Sequence, residues 1–168
     1  FITKGGQVDP IGLVKSLFQE NTFTITDSFL EIYHNSDDAN STLLKCYIIN
    51  FKGKDWLVFE DDGNGMSLEI MDNSLNILGR TDINKKHGKF NFGGKAGCLM
   101  LTSINEHIKF DNDEYNGVIS VFSKQINSND ICCYSLNGKK LIQKGWGSYI
   151  MPNIIGSGNE STTERDFI

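Results

Sequence analysis

The apolar residues of this chain recur with two different spacings, and the first is helical. Near the start, Ile11, Val14 and Phe18 are separated by three or four positions, which places them on one side of an α-helix. Asp9-Pro10 precedes them, as expected for the first turn of a helix. Four segments are predicted to be helical: 9–20, 27–37, 67–73 and 95–104. Thr26 or Asp27 is expected to cap the second of these, because either side chain can accept amide hydrogens of its first turn.

The second spacing is that of strands. Runs rich in β-branched and aromatic residues are separated by short polar turns, such as Lys52-Gly53-Lys54 and Asn137-Gly138. Helices before and between these strands, followed by a hairpin-rich second half, predict an α+β fold, a two-layer α/β sandwich. The predicted strands are residues 43–50, 56–60, 118–124, 131–136 and 141–150.

Composition narrows the choice of partners. The 168 residues carry a net charge of -5, and an acidic segment is a poor match for a nucleic-acid backbone, so no direct nucleic-acid binding is expected. No apolar run approaches the roughly 20 residues of a membrane-spanning helix, and no membrane association is expected either.

The cysteines indicate a compartment rather than a metal site. None of the four forms a Cys-x-x-Cys pair. Cys46 and Cys98 have apolar neighbours and are predicted to be buried thiols, whereas the adjacent Cys132 and Cys133 would point to opposite faces of a strand. This usage is typical of a reducing intracellular compartment, cytoplasmic or nuclear.

A polar stripe follows the second predicted helix. At about 100° per residue, Asn35 lies about 40° from Glu31, and Asp38 lies about 20° to the other side. Taken alone, such a stripe is typical of a solvated helix face. It also offers a carboxylate that can polarise a water molecule and an amide oxygen suited to a hard cation such as Mg²⁺.

An acidic, glycine-bearing loop, residues 61–66, follows the strand 56–60 and is called the acidic loop below. Asp61 stands at the strand end, where a carboxylate can accept a hydrogen bond from an exocyclic amine. Gly63 and Gly65 permit either a close approach to a flat ring or a positive φ. The composition also fits an ordinary turn, whereas a calcium loop is disfavoured because its terminal bidentate Glu is missing.

A second glycine-rich segment, residues 88–97, opens the last predicted helix. Backbone amides at a helix N-terminus, exposed by Gly93 and Gly94 and accompanied by Lys95, favour a phosphate site. The segment also fits a hinge before an amphipathic helix. Residues 78–94 as a whole are charged and rich in glycine, which predicts a mobile loop.

The order and spacing of these motifs resemble the GHKL superfamily of ATP-binding domains, which includes gyrase, the heat-shock chaperone, histidine kinases and MutL. The resemblance spans about residues 10–150, and the glycine turn is most similar to MORC-like members, with Asn91 where glycine is usual. It implies a Bergerat-type sandwich with helices on one face of a mixed sheet. Residues 1–168 would form one such domain without its last strand, and 156–168 would be a loop, because the family's closing Gly-Thr element is not found.

The resemblance also implies how the adenine would be held. Asp61 would receive the adenine amine, and Gly63 and Gly65 would shape the base pocket. Met66 would pack against the ring, and Asp38 would hold pocket water or support the base site.

At the phosphate end, the resemblance implies that Asn35 coordinates Mg²⁺ and that Glu31 orients and deprotonates the attacking water. The segment 78–94 would be the ATP lid. The residues expected to line the phosphates or the lid are Thr81, Gly88, Phe90, Asn91, Gly93, Gly94 and Lys95.

The sequence leaves three functions open. The first is slow, Mg-dependent ATP hydrolysis that drives a conformational change or an ATP-dependent homodimer, favoured because Glu31 and Asn35 are both present. The second is a nucleotide-binding switch without turnover. The third, a histidine or serine kinase, is disfavoured because no acceptor-helix domain is visible.

Overall fold

The fold is seen in a computed structural model that describes residues 9–12, 24–76, 98, 101–102, 117–145 and 152–157. Its elements are α1 (Ile25–Asp38), β1 (Leu44–Phe51), β2 (Lys54–Asp61), α2 (Leu68–Met71), a π-helical turn (Asp72–Asn76), β3 (Val118–Lys124), β4 (Asp130–Asn137), α3 (Gly138–Lys144) and β5 (Asn153–Ser157). The predicted α+β class is confirmed. Strands β1 and β2 form one antiparallel sheet, and β3, β4 and β5 form a second in that order. The parallel pairing expected of a mixed sheet does not occur among these described strands.

Helix α1 begins at a capping box. Thr24 Oγ1 accepts a hydrogen bond from Asp27 N at 3.1 Å, while Asp27 Oδ2 accepts from Thr24 N at 2.9 Å. These contacts with Thr24 hold the pKa of the Asp27 carboxyl below its usual range. The cap is therefore Thr24, and the prediction of Thr26 or Asp27 is wrong. Thr24 is the cap because Asp27 stands three residues after it. The Thr24 hydroxyl accepts from one backbone amide and the Asp27 carboxylate accepts from the other, so two amides are satisfied.

The C-terminal end of α1 turns sharply. Asn40 adopts a left-handed conformation, with φ of 58°. Its amide donates to Asp37 O at 2.9 Å, and Ser41 N donates to Ser36 O at 3.1 Å. This is a Schellman arrangement, in which asparagine can replace the usual glycine. It directs the chain from α1 towards β1.

Strand β1 begins and ends one residue later than predicted, and β2 begins two residues earlier and ends one residue later. Lys52 and Gly53 both have positive φ, at 51° and 73°, as a type I′ turn requires. The Phe29 ring of α1 packs edge-on against Phe59, with ring centroids 5.1 Å apart. Cys46 lies opposite Phe59 in the hairpin register and is exposed, so its predicted burial is wrong. The ring of Phe29 meets Phe59 and leaves the neighbouring thiol uncovered.

The most deeply buried hydrophobic side chains among the described residues gather at one face of β4. Cys132, Tyr134 and Leu136 alternate along the strand and are at most 2% exposed. Met71 of α2 and Leu141 of α3 are fully buried with them. The half-buried Cys133 lies on the other face, as the strand period predicts.

Three predictions near the end of the chain are wrong. Residues 141–144, predicted as a strand, belong to α3, and Asn137-Gly138 is a helix start and not a hairpin turn. Asn137 Oδ1 accepts from Lys140 N at 3.1 Å, which caps the helix and ends β4. Gly156 and Ser157, expected in a loop, end β5, which pairs with β4 across a register shift at Ile131 and Cys132.

The remaining predicted helices are described only in part. Residues 10–12 are helical, and so are Cys98 and Leu101. Asp9 and Thr102 are described but not helical. The remaining residues of the segments 9–20 and 95–104, and the tail after Ser157, lie outside the described residues. The extent of the domain and its missing last strand therefore stay predictions.

Candidate functional site

The polar stripe of α1 lies beside the buried side of that helix. Ser28 is fully buried and Ser36 is 4% exposed, which marks the side that faces the protein. Glu31 and Asp38 are half-buried, and Asn35 is exposed. The stripe is therefore not a fully solvated face. It places a shielded carboxylate one helical turn from an accessible amide.

The acidic loop is joined directly to the C-terminal end of α1. Asn64 N donates to Ala39 O at 2.8 Å. A β-carbon added to Gly63 would lie 2.7 Å from Ala39 Cβ and 3.0 Å from Ala39 O, which leaves no space for a side chain. Glycine and alanine are needed here because two backbones approach closely. The residue that follows Asp38 thus contacts the loop that follows Asp61, and two motifs separated in sequence meet.

The other side of the acidic loop rests on the end of β3. Gly65 has a φ of 67°, which confirms one of the two uses expected for this glycine, and a β-carbon there would overlap the carbonyl oxygen of Lys124. Ile126 N donates to Asn64 O at 2.9 Å, and Met66 N donates to Ser123 Oγ at 2.8 Å. The loop is consequently held between α1 and the second sheet. Ser123 has this role without any signal in its local sequence.

The two adjacent aspartates at the end of β2 have different surroundings. Asp62 accepts hydrogen bonds from Ser41 Oγ at 2.7 Å, from Thr42 N at 2.7 Å, from Thr42 Oγ1 at 2.6 Å and from Leu43 N at 2.9 Å. The Thr42 and Ser41 hydroxyls are the main cause of a pKa for Asp62 well below its usual range. Asp61 is exposed, and its Oδ1 accepts from Gly63 N at 2.9 Å.

Asp62 and its partners were not singled out by the sequence prediction. A Ser-Thr pair just after a helix is a common source of local hydrogen bonds, but its distant acceptor is visible only in the fold. The two carboxylates therefore differ in their bonding, because Asp62 accepts four hydrogen bonds and Asp61 accepts one, although both residues are exposed.

Half of the predicted site can be placed in the structure. Glu31, Asn35 and Asp38 lie on α1, and Asp61, Gly63, Gly65 and Met66 lie on the acidic loop. The residues predicted to line the phosphates or the lid lie outside the described part of the chain: Thr81, Gly88, Phe90, Asn91, Gly93, Gly94 and Lys95.

The described residues also bear on metal binding and on membrane crossing. Within the ranges given above, no group of three or more His, Cys, Asp or Glu side chains is arranged to hold a metal ion. Over the same residues, no helix has both the length and the apolar character that crossing a membrane requires.

Comparison with known proteins agrees with this geometry. A family model described as "Histidine kinase-, DNA gyrase B-, and HSP90-like ATPase" matches residues 23–132. The match includes α1, the hairpin, the acidic loop and β3, which are the elements that meet at the site. The search of curated proteins gives no significant match.

Proposed function

Because the chain belongs to the family of histidine kinase-, DNA gyrase B- and HSP90-like ATPases, we propose that it hydrolyses MgATP slowly and uses the bound nucleotide to drive a conformational change or dimerisation. ATP binding is the property common to such domains, and the finer steps are the proposal. The observation that carries it is the contact between Ala39 and the residues Gly63 and Asn64. This contact fixes the position of α1, which carries Glu31 and Asn35, relative to the acidic loop and its exposed Asp61.

The base end of the proposed site is the acidic loop. Asp61 is exposed and retains acceptor capacity beyond its bond from Gly63 N, so it can receive the exocyclic amine of adenine. A guanine carbonyl at the same place would face an unpaired acceptor, which favours ATP over GTP. Gly63 and Gly65 set the path of the loop by backbone packing, and Met66 would lie against the ring.

The phosphate end is the stripe of α1. Asn35 presents an accessible amide oxygen, a suitable ligand for Mg²⁺, which usually keeps several waters and takes phosphate oxygens as its other ligands. Bound Mg²⁺ would neutralise charge on the phosphates. Glu31, half-buried on the same stripe, would hold the attacking water and accept its proton. Asp38, at the helix end beside Ala39, would support the loop side of the site.

The assignments of the ATP lid and of the superfamily branch are inferred from the sequence. Residues 78–94 are proposed to be the lid, with amides between Gly88 and Gly94 and the charge of Lys95 on the phosphates. The MORC-like glycine turn supports a member in which nucleotide binding and dimerisation are coupled. A closed lid would exclude water and complete the site, so slow turnover is expected until closure occurs.

The proposal is tested by turnover and binding measured on the same purified protein. Glu31→Gln is expected to lower the hydrolysis rate about 10²–10⁴-fold, the contribution of a positioned base. MgATP affinity should stay within a few-fold, because the ground-state nucleotide barely contacts this group. Glu69→Gln is the matched control, since Glu69 is an exposed glutamate on a different helix, α2.

The outcomes separate the candidate functions. Full turnover by the Glu31→Gln protein would refute the assigned base. An unmutated protein that binds MgATP but hydrolyses none would be a nucleotide-binding switch instead. Transfer of the phosphate to a protein side chain, detected by mass spectrometry, would indicate a kinase.

A further inference from the structure

Asp62 connects the acidic loop to the segment between α1 and β1. Its four hydrogen bonds come from three consecutive residues, Ser41, Thr42 and Leu43. Asp62 N also donates to Leu43 O at 3.4 Å, so the two segments are joined in both directions. The partners are two backbone amides and two hydroxyls, and they occupy both carboxylate oxygens. Asp62 is thereby committed to the protein.

The hydrogen bonds that hold Asp62 also affect the neighbouring carboxylate, that of Asp61. Consecutive side chains of an extended backbone point in opposite directions, so the bonds that hold Asp62 also restrict the direction available to Asp61. Asp61 is the last residue of β2 and directly precedes Asp62, which accepts the hydrogen bonds from residues 41–43. Its own bond from Gly63 N then determines the position of Oδ1.

We propose that Asp62 is a positioning residue that sets the base preference of the site, because its bonds to residues 41–43 hold the Asp61 carboxylate where it meets the adenine amine. The inference rests on the proposed function, in which Asp61 reads the base. It assigns the two adjacent aspartates distinct tasks that their identical chemistry would not reveal. Asp62 does not touch the nucleotide and acts through Asp61.

Asparagine offers a conservative replacement at this position. In Asp62→Asn, the amide oxygen can accept the three bonds now made to Oδ1, and the amide nitrogen can donate to Thr42 Oγ1. Asp62→Ala keeps none of these bonds. At Asp61 the same change removes an acceptor that the proposed adenine contact requires. One substitution type therefore distinguishes positioning from direct reading.

The test measures dissociation constants for MgATP, MgGTP and Mg-tripolyphosphate by calorimetry. Asp62→Ala is expected to weaken ATP binding about tenfold or more, the factor for one hydrogen bond to a charged group, and to remove the preference over GTP. Tripolyphosphate affinity should not change, since it carries no base. Asp62→Asn should keep the ATP-to-GTP ratio within about twofold of the unmutated protein, whereas Asp61→Asn should lose it.

Each other result has a definite meaning. An unchanged ATP-to-GTP ratio in folded Asp62→Ala overturns the inference, and so does an Asp62→Asn protein that loses the ratio as Asp61→Asn does. If Asp62→Ala does not fold, Thr42→Val replaces it, because only the donor to Oδ2 is removed. That protein must then show a reduced ratio with unchanged tripolyphosphate affinity. Failure of the unmutated protein to bind any nucleotide would instead refute the proposed function.

Discussion

Gly65→Ala tests how the acidic loop is held against the second sheet. Gly65 has a φ of 67°, and a conformation of this kind costs a non-glycine residue about 1–2 kcal/mol. An added β-carbon would also overlap Lys124 O and lie 2.7 Å from the carbonyl carbon of that residue. Both atoms belong to the main chain, so the contact cannot be relieved by rotating a side chain.

The expected loss of stability follows from the contacts that must yield. Moving the loop away from Lys124 stretches the bonds of Ile126 N to Asn64 O and of Met66 N to Ser123 Oγ. Each bond contributes about 0.5–1.5 kcal/mol. Together with the conformational term, Gly65→Ala should lower the free energy of unfolding by about 2–5 kcal/mol.

Gly53→Ala is the matched control for this experiment. Gly53 has a φ of 73°, and a β-carbon there would meet no atom within 4 Å. It should therefore lose only the conformational term of about 1–2 kcal/mol and keep its ATP affinity. Urea unfolding followed by circular dichroism gives both values. Equal losses for the two proteins would refute the packing of the loop against Lys124.

Three further predictions concern the metal, a thiol and pH. Asn35→Ala should weaken MgATP binding much more than binding of metal-free ATP, and an equal loss in calorimetry would exclude Asn35 as a ligand. Burial raises the pKa of the Cys98 thiol to about 11, so iodoacetamide at pH 8 should modify the exposed Cys46 first, as mass spectrometry would show. The fold lowers the pKa of Asp62. The stability that its carboxylate contributes is therefore present above the unfolded-state pKa of about 3.9 and is lost as pH falls towards the lower pKa of the folded state. Asp62→Asn should therefore flatten the acid side of the stability curve, and an unchanged acid limb would contradict this source of stability.

The sequence predicted most of the first half of the fold because its signals there are local. The hairpin has a turn that suits positive φ, and a capping residue, Thr24, stands directly before α1. The second half was harder, because Leu141 fits a strand or a helix equally well in a short apolar run. The side chain of Asn137 decides the matter by capping α3, and Leu141 then completes the core beside β4.

The candidate site, like the fold, could be predicted from the sequence only in part. Residue type and spacing were sufficient to select Glu31, Asn35 and Asp61 as candidates. They could not distinguish the hydrogen bonding of Asp61 from that of Asp62, because the four bonds to the Asp62 side chain come from residues 41–43 across the fold. The role of Ser123 was equally hidden, since a serine in a strand has no pattern that marks it as a partner of a distant loop amide.

The contact between the acidic loop and β3 also orders events during synthesis of the chain. The backbone hydrogen bonds of α1 and of the hairpin lie within each of these elements, so neither needs β3 to complete them. The acidic loop cannot reach its packed position at Gly65 until Lys124 and Ile126 have been translated, because their main chain contacts the loop. Chains are folded from the N-terminus onward, and contacts between distant residues form late. A nascent chain stopped before β3 would therefore carry the complete α1 stripe and Asp61, yet lack the main chain of Lys124 and Ile126 against which the acidic loop packs.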